Sequence, residues 1–410
     1  MGPLTVTGMG MLNALGLGRM PFWRRLLSGA GGIEPIASFE PGHAVGTLGA
    51  EIKGFNPRDT MPPQFYRRLS RLSRLAVAAS CEALADSGMM VTDGNRVRTG
   101  AIFGTALGST QQTDAFFLSL LEHGPQGAEP ILFPDTVPNA PASHVAIFHQ
   151  LLGPNSTFCQ NHLSGESALA FAASVLQGGQ ADTLLVGGVD ELSAILWHSL
   201  NALHAIKPLR RTGPLEPWQM PCGRGFIPGE AATCLVMETQ EVACERGVTP
   251  YGRILTLELG GARAGQGHYP ADEAALVDTL RAALECARLM PGDIDFIGLA
   301  ANGVADLEEA EAGALRIVFG ASWEQIPRLP LRYAVGEFGA AGLLTVATIL
   351  LAMCEGVMPP AIVGPHLTGK PGDPQRFASS RPARLRHGMI VGCTFGGGTS
   401  CVIVERQDSG

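Results

Sequence analysis

Residues 153–169 read Gly-Pro-Asn-Ser-Thr-Phe-Cys-Gln-Asn-His-Leu-Ser-Gly-Glu-Ser-Ala-Leu. A short β-branched and aromatic run meets a polar corner, and a Gly/Ala-rich helical pattern begins directly behind it. A residue at such a corner stands at a helix N-terminus, where free backbone N–H groups favour anions and depress the pKa of an acid. The corner is a natural seat for a nucleophile, and the residue occupying it is His162.

Outward from this elbow, strand and helix patterns alternate. Strands are expected at Leu4–Gly8, Gly100–Thr105, Ser156–Gln160, Thr183–Gly188, Arg253–Leu259, Ile294–Ala300, Leu329–Val335, Gly388–Thr394 and Ser400–Glu405. Helices are expected at Phe65–Asp86, Ser164–Gln177, Asp272–Arg288, Leu307–Phe319 and Gly339–Met353. The alternation predicts an α/β protein, and continuous apolar runs such as Thr183–Gly188 predict sheets buried on both faces. Each half offers strands, a Gly-rich turn and a buried Ala/Leu helix, which predicts an internal duplication. The halves are placed at residues 1–240 and 241–410, joined in the polar stretch Thr239–Val248 and packed as a five-layer α-β-α-β-α sandwich.

Composition narrows the function classes. With 410 residues, 46% hydrophobic and 16% charged, the chain is not intrinsically disordered. A net charge of −8 argues against wrapping a polyanion, which relies on Lys and Arg to release counterions. The apolar stretch Gly339–Met353 is shorter than the roughly 20 residues of a bilayer crossing. The start, MGPLTVTGMG, has no basic n-region and reads as a strand, so a soluble, cytoplasmic chain is expected. Nine cysteines are widely spaced, most among apolar neighbours, without CxxC, CxxH or HExxH spacing, so neither a zinc site nor a cofactor is expected. GTALG and FGGGTS are not phosphate loops, because no Lys-Ser/Thr follows either.

Nine short motifs carry a resemblance. They are Val6-Thr-Gly-Met-Gly, Leu75 to Met89 (LAVAASCEALADSGM), Phe103-Gly-Thr, Val137-Pro-Asn-Ala-Pro-Ala-Ser, Gly153-Pro-Asn-Ser, Ala181 to Glu191 (ADTLLVGGVDE), Gly225-Phe-Ile-Pro-Gly-Glu-Ala-Ala, Gly339-Ala-Ala-Gly and Phe395-Gly-Gly-Gly-Thr-Ser. In this order, over essentially the whole chain, the sequence resembles a β-ketoacyl synthase of the thiolase-like superfamily. The resemblance implies a Cys-His-His site: a cysteine thiolate that takes an acyl chain from a carrier protein, and two histidines that stabilise charge during decarboxylation of a malonyl-carrier.

None of the three residues is present. His162 stands at the cysteine position of the T-A-C-x-S-G elbow, Asn302 at the first histidine and Glu337 at the second, while Arg332 replaces the family's lysine. The D-x-x-E that follows the first histidine loop is matched to Asp306–Glu309, with the loop before it shortened. An acyl-imidazole hydrolyses readily, Asn302 cannot become a cation, and a carboxylate at Glu337 opposes a developing enolate. The resemblance is therefore closest to a chain-length-factor (ketosynthase β) subunit of a type II polyketide system, of aryl-polyene or highly reducing type. Such a subunit is catalytically silent, pairs with an active ketosynthase, and shapes the acyl tunnel during elongation on an acyl carrier protein. Phe395, Gly396, Gly397 and Phe338 are the tunnel or gating candidates.

Several residues keep a second reading. Arg67, Arg71 and Arg74 are expected along one helical face, as carrier-docking arginines or as a solvated face. Lys207, Arg210 and Arg211 form a second basic cluster. Cys159 is expected on the buried strand as an inert thiol, and His144, His149, His198 and His204 as packed histidines. The alternative function is a repurposed acyl-thioester enzyme (hydrolase, cyclase or acyltransferase) using His162 and Glu337. A priming decarboxylase is disfavoured by the lost oxyanion histidines.

Overall fold

The computed structural model describes residues 4–265, 267–270, 273–362 and 377–407. Two copies of one β-α-β-α-β-α-β-β unit form its core. The first contains β1 (Leu4–Asn13), α1 (Arg71–Ser87), β2 (Thr99–Gly104), α2 (Ala140–His149), β3 (Asn155–Phe158), α3 (Ser164–Gln177), β4 (Thr183–Asp190) and β5 (Ala231–Thr239). The second contains β6 (Gly252–Gly261), α4 (Ala274–Ala287), β7 (Phe296–Gly298), α5 (Ala305–Phe319), β8 (Arg328–Leu329), α6 (Ala341–Glu355), β9 (His387–Cys393) and β10 (Gly398–Arg406).

Strand pairing repeats as well. In the order β3-β2-β4-β5-β1 the first two pairings are parallel and the next two antiparallel, and β8-β7-β9-β10-β6 follows the same rule. An antiparallel β1–β6 pairing joins the two into one mixed sheet. Helices α1 and α2 cover one outer face, α4 and α5 the other, and α3 and α6 lie together in the middle. This is the expected thiolase-like five-layer sandwich.

The middle layer is explained by its sequence. Every α6 residue from Ala341 to Met353 is buried, as a helix apolar all round must be. On the outer side, β1 runs five residues past the expected Gly8 because Gly8 and Gly10 let α1 approach so closely that a Cβ at either would strike the Ala83 or Ala79 carbonyl.

Other expectations are corrected. Phe65–Asp86 divides into a short helix, Pro63–Tyr66, and α1, whose N-cap Ser70 accepts the Ser73 N–H at 3.2 Å. Leu329–Val335 is not a strand: pairing stops at Leu329, Pro330 offers no N–H to a ladder, and Arg332–Val335 turns helical. The buried central strand β5 is absent from the expected strands, and the expected first residue of α4, Asp272, lies outside the described residues. Of the nine cysteines three are buried (Cys234, Cys393, Cys401), fewer than their apolar neighbours imply. Among the described residues no helix is long and apolar enough to cross a membrane.

Truncating Leu350, fully buried in α6, is expected to cost about 2–5 kcal/mol through lost transfer energy and the cavity left behind. Denaturant unfolding of Leu350→Ala measures it; a change within experimental error would contradict the packed middle layer.

Candidate functional site

The elbow forms as a single 3₁₀ turn, Asn161–Leu163, between β3 and α3. Asn161 adopts φ 49°, a left-handed conformation that Asn tolerates better than most residues. The His162 backbone N–H donates to Thr394 Oγ1 at 3.1 Å, which fixes the turn against the end of β9. The imidazole points inward and is buried.

A continuous chain of polar contacts runs from it. His162 Nδ1 lies 3.2 Å from the Tyr269 hydroxyl. Asn302 Nδ2 donates to that hydroxyl at 2.9 Å and to Glu337 Oε2 at 2.7 Å. Arg332 Nε donates to Glu337 Oε1 at 3.0 Å, and its Nη1 to the Leu299 carbonyl at 2.9 Å. Since Tyr269 accepts from Asn302, its own proton is directed at Nδ1, which suits a neutral imidazole protonated on Nε2. Burial pushes the His162 pKa below its ordinary value, against the pull of Glu337. Burial likewise holds the Tyr269 phenol well above its usual range. The structure thus brings all three expected triad equivalents, His162, Asn302 and Glu337, into one network and adds Tyr269, which belongs to none of the motifs.

Aromatic rings close the corner. Phe395 lies 4.9 Å from the His162 ring and 4.6 Å from Tyr269, and Phe226 meets His162 edge-on at 5.4 Å. Phe395 leads into a turn through Gly396 (φ 82°) and Gly397 (φ 91°), conformations open to glycine. Phe338, the fourth tunnel or gating candidate, is buried beside Glu337.

The loop bearing Asn302 is held from α5. Glu311 accepts the Ala300 and Ala301 N–H groups at 2.6 and 3.1 Å, and Glu308 accepts the Gly303 N–H and the Tyr333 hydroxyl, both at 2.6 Å. Asp306 and Glu309 are exposed, so the acidic pair that supports the loop is Glu308/Glu311, two residues later than the sequence match. Lys207 is buried, not part of a basic surface cluster, and donates to the Gly303 carbonyl at 2.8 Å; burial lowers its pKa to about 8.

One guanidinium serves three fully buried carboxylates. Burial disfavours the charge on Arg332, but Glu337, Glu166 and Glu311 outweigh it and raise its pKa. Burial pushes Glu166 up to about 7 and Glu311 up to about 8, with Arg332 acting in the opposite direction on both. The Glu166 carboxyl rests against α6 where a Cβ on Gly342 would collide with it.

The remaining expectations divide. Arg71 is committed to Glu230 (2.7 Å) and the Ile52 carbonyl, and Arg74 to the Tyr66 carbonyl at 2.9 Å. The break at Leu69–Ser70 also removes Arg67 from their helix, leaving Arg67 as the exposed arginine of the three. Arg210 and Arg211 bond to the Ala44 carbonyl and to Gln219. Cys159 is exposed rather than buried, because β3 ends at Phe158 before reaching it. His144 and His149 bond to Asp135 (2.6 Å) and Ser80 (2.8 Å), whereas His198 and His204 are exposed. Among the described residues no group of three or more His, Cys, Asp or Glu is placed to hold a metal ion.

Chemically, the site offers no thiolate at the elbow. Its imidazole is tied to a phenol, and its carboxylate is engaged by a guanidinium.

Comparison with known proteins follows the same lines. Residues 1–243 match the beta-ketoacyl synthase N-terminal domain and residues 251–364 its C-terminal domain. The tetracenomycin polyketide synthase ketoacyl synthase beta subunit of Streptomyces glaucescens is 29% identical over 99% of this chain and 98% of that one. A crystal structure of a beta-ketoacyl synthase from Burkholderia phymatum STM815 is 26% identical with TM-score 0.87, covering 100% of both chains. The ishigamide ketosynthase/chain length factor shares the fold, with TM-score 0.86, 21% identity and coverage of 99% and 100%. The chain belongs to the beta-ketoacyl synthase family.

Two outcomes follow from the charges. Arg332→Met alone strands Glu337 and is expected to cost about 3–5 kcal/mol, whereas adding Glu337→Met recovers most of the loss; simple additivity in urea unfolding would contradict the buried pair. Glu166 has its folded pKa raised from 4.5 to about 7, so its contribution is fully present below 4.5 and is lost as pH rises through 7. Glu166→Gln is therefore expected to gain thermal stability relative to wild type as pH rises from about 4.5 to about 7, with the gain level above that; a pH-independent difference would refute the buried neutral acid.

Proposed function

We propose that this member of the beta-ketoacyl synthase family is a catalytically silent, chain-length-factor type subunit. It pairs with an active ketosynthase and shapes the acyl tunnel while a type II polyketide or polyene chain is elongated on an acyl carrier protein in the cytoplasm. The observation that carries this reading is the His162–Tyr269–Asn302–Glu337–Arg332 chain of contacts, which we read as standing where an active relative would hold an acyl-accepting thiolate and its two oxyanion donors. An imidazole cannot hold a stable acyl-thioester, and Glu337 would oppose the enolate that a decarboxylating site must stabilise.

The names of the relatives support the reading, one being a ketoacyl synthase beta subunit and another a ketosynthase/chain length factor pair. The surface supports it too. Strand β3 ends the sheet and leaves a ladder edge unpaired among the described residues, and such an edge invites pairing with another chain. Elsewhere on the surface Phe117, Leu118, Leu121 and Phe133 are exposed, large apolar side chains of the kind that protein interfaces cover. In this assembly Arg67 is the docking arginine for an acidic carrier. The Phe395–Gly397 turn and Phe338 border the tunnel, and residues 1–240 and 241–410 are its two halves.

An acyl-thioester hydrolase using His162 and Glu337 is the competing reading. The Arg332 contact counts against it, because a carboxylate held by a guanidinium does little to raise the basicity of an imidazole.

Co-expression with a ketosynthase that retains the elbow cysteine is expected to yield a 1:1 complex, measured by size exclusion with light scattering. A stable homodimer that ignores such a partner would overturn the proposal. In the reconstituted pair, His162→Ala is expected to change product formation by less than about twofold, whereas loss of an acid/base group costs about 100-fold or more; the larger loss would favour the hydrolase reading.

A further inference from the structure

Residues 110–137 stand apart from the packed layers. The helix Thr110–Gly127 breaks at Gly124 (φ 69°, ψ −177°), and the chain returns through a 3₁₀ turn at Phe133–Asp135. Phe116, Phe117, Leu118, Leu121, Ile131 and Phe133 lie on this strap, yet between Thr110 and Asn139 only Ser119 and Asp135 are buried. Among the described residues, the hydrogen bonds of residues 114–134 all stay within residues 110–136. A segment with no buried apolar anchor has little local stability of its own. Its position is set at its two ends.

Both ends are fixed on the first turn of α1 by buried carboxylates. At the near end Glu191, one residue past β4, accepts the Gln111 N–H at 2.8 Å and, with its other oxygen, the Leu72 N–H at 3.2 Å. At the far end Asp135 accepts the Ser70 N–H at 2.6 Å and the Ser73 hydroxyl at 3.1 Å. Its second oxygen lies 2.6 Å from His144 Nε2 of α2. A carboxylate is favoured there by the helix end and by the N–H groups that the helix leaves unpaired. Phe116 lies 5.9 Å from Phe117 and 5.5 Å from Phe133, so the two limbs of the strap meet in one aromatic contact. Leu118 and Leu121 extend it along exposed helix surface, and Asp114 and Glu122 each stand four residues from Leu118. The strap contains no Lys or Arg. Such a surface is complementary to an apolar face with a basic rim and repels an acidic carrier.

We infer that Asp135 is a positioning residue for subunit pairing: from the first turn of α1 it seats this strap against an apolar, basic-rimmed face of the partner chain. The inference rests on the heterodimer reading above and adds to it the surface used and the carboxylate that holds it.

The test uses the full chain with a ketosynthase that retains the elbow cysteine. Calorimetry gives the dissociation constant of the pair, and amide hydrogen exchange is followed on the free chain. Asp135→Ala is expected to speed exchange in residues 114–134 and to weaken pairing, each by about tenfold or more, while α6 amides stay unchanged. Asp135→Asn, which keeps the size and one acceptor, is expected to fall between this variant and wild type. Phe117→Ser/Leu121→Ser is expected to weaken pairing by about tenfold or more with α6 exchange unchanged. Asp114→Lys/Glu122→Lys is expected to weaken pairing at low salt, a loss that molar salt removes; tighter pairing would overturn the basic-rimmed partner. Unchanged pairing in Asp135→Ala or in the serine variant would overturn the inference. Unchanged exchange in the strap would do the same, as would equal acceleration in the strap and α6, the mark of general unfolding. Failure of the wild type itself to pair sinks the heterodimer reading and the pairing role with it, and the exchange data then judge the seat alone.

Discussion

Arg332 and Glu337 face each other across a single turn just before α6, with side chains 1% and 2% exposed. Two opposite charges taken this far out of water hold together only if neither is left alone, since removing either strands the other without solvation. That constraint reaches outward in both directions. Through Nη1 the guanidinium fixes the Leu299 carbonyl at the head of the Asn302 loop, and through Glu337 it aligns Asn302, which in turn orients Tyr269 against His162. The elbow, the loop after β7 and the segment before α6 arrive from three parts of the chain, and one ion pair sets their register.

The same arrangement fits the proposed chemical silence, with the scaffold of the family retained. A nucleophilic site at a helix N-terminus needs a group whose ionised form the helix end favours; a neutral imidazole gains nothing there. The developing negative charge of a decarboxylation needs donors, and the expected oxyanion positions carry one amide, Asn302, and one carboxylate, Glu337. Glu166 and Glu311 add further acid to a site with one guanidinium, and both are pushed toward their protonated forms by burial. The result is a buried hydrogen-bonded network surrounded by aromatic rings.

Much of this is legible in the sequence because it rests on short-range signals. The boundaries of α3 at Ser164 and Gln177 follow from a sharp polar corner and a Gly-Gly ending, and α6 from an uninterrupted apolar run. That His162, Asn302 and Glu337 belong together is legible because the motifs around them fix their register, and the structure joins them in one network. What is not legible depends on distant partners. Strand β5 opens on two alanines and is a strand only because β4 and β1 flank it. Arg71 reads as a surface arginine until Glu230 is brought beside it. Tyr269 lies in a Gly- and Ala-rich stretch with no pattern, and only the fold carries its hydroxyl to His162. The Glu308/Glu311 pair escapes the sequence match because a shortened loop hides which acids turn inward; burial on α5 decides it.

The central claim is that this chain holds no group that carries an acyl chain. Intact-protein mass spectrometry of this chain mixed with a ketosynthase that retains the elbow cysteine, after incubation with acyl-carrier protein, tests it directly. The account predicts an acyl adduct on the ketosynthase and none on this chain, including at Cys159 three residues before the elbow. A stable acyl adduct mapped to Cys159, His162 or any other residue of this chain would contradict it.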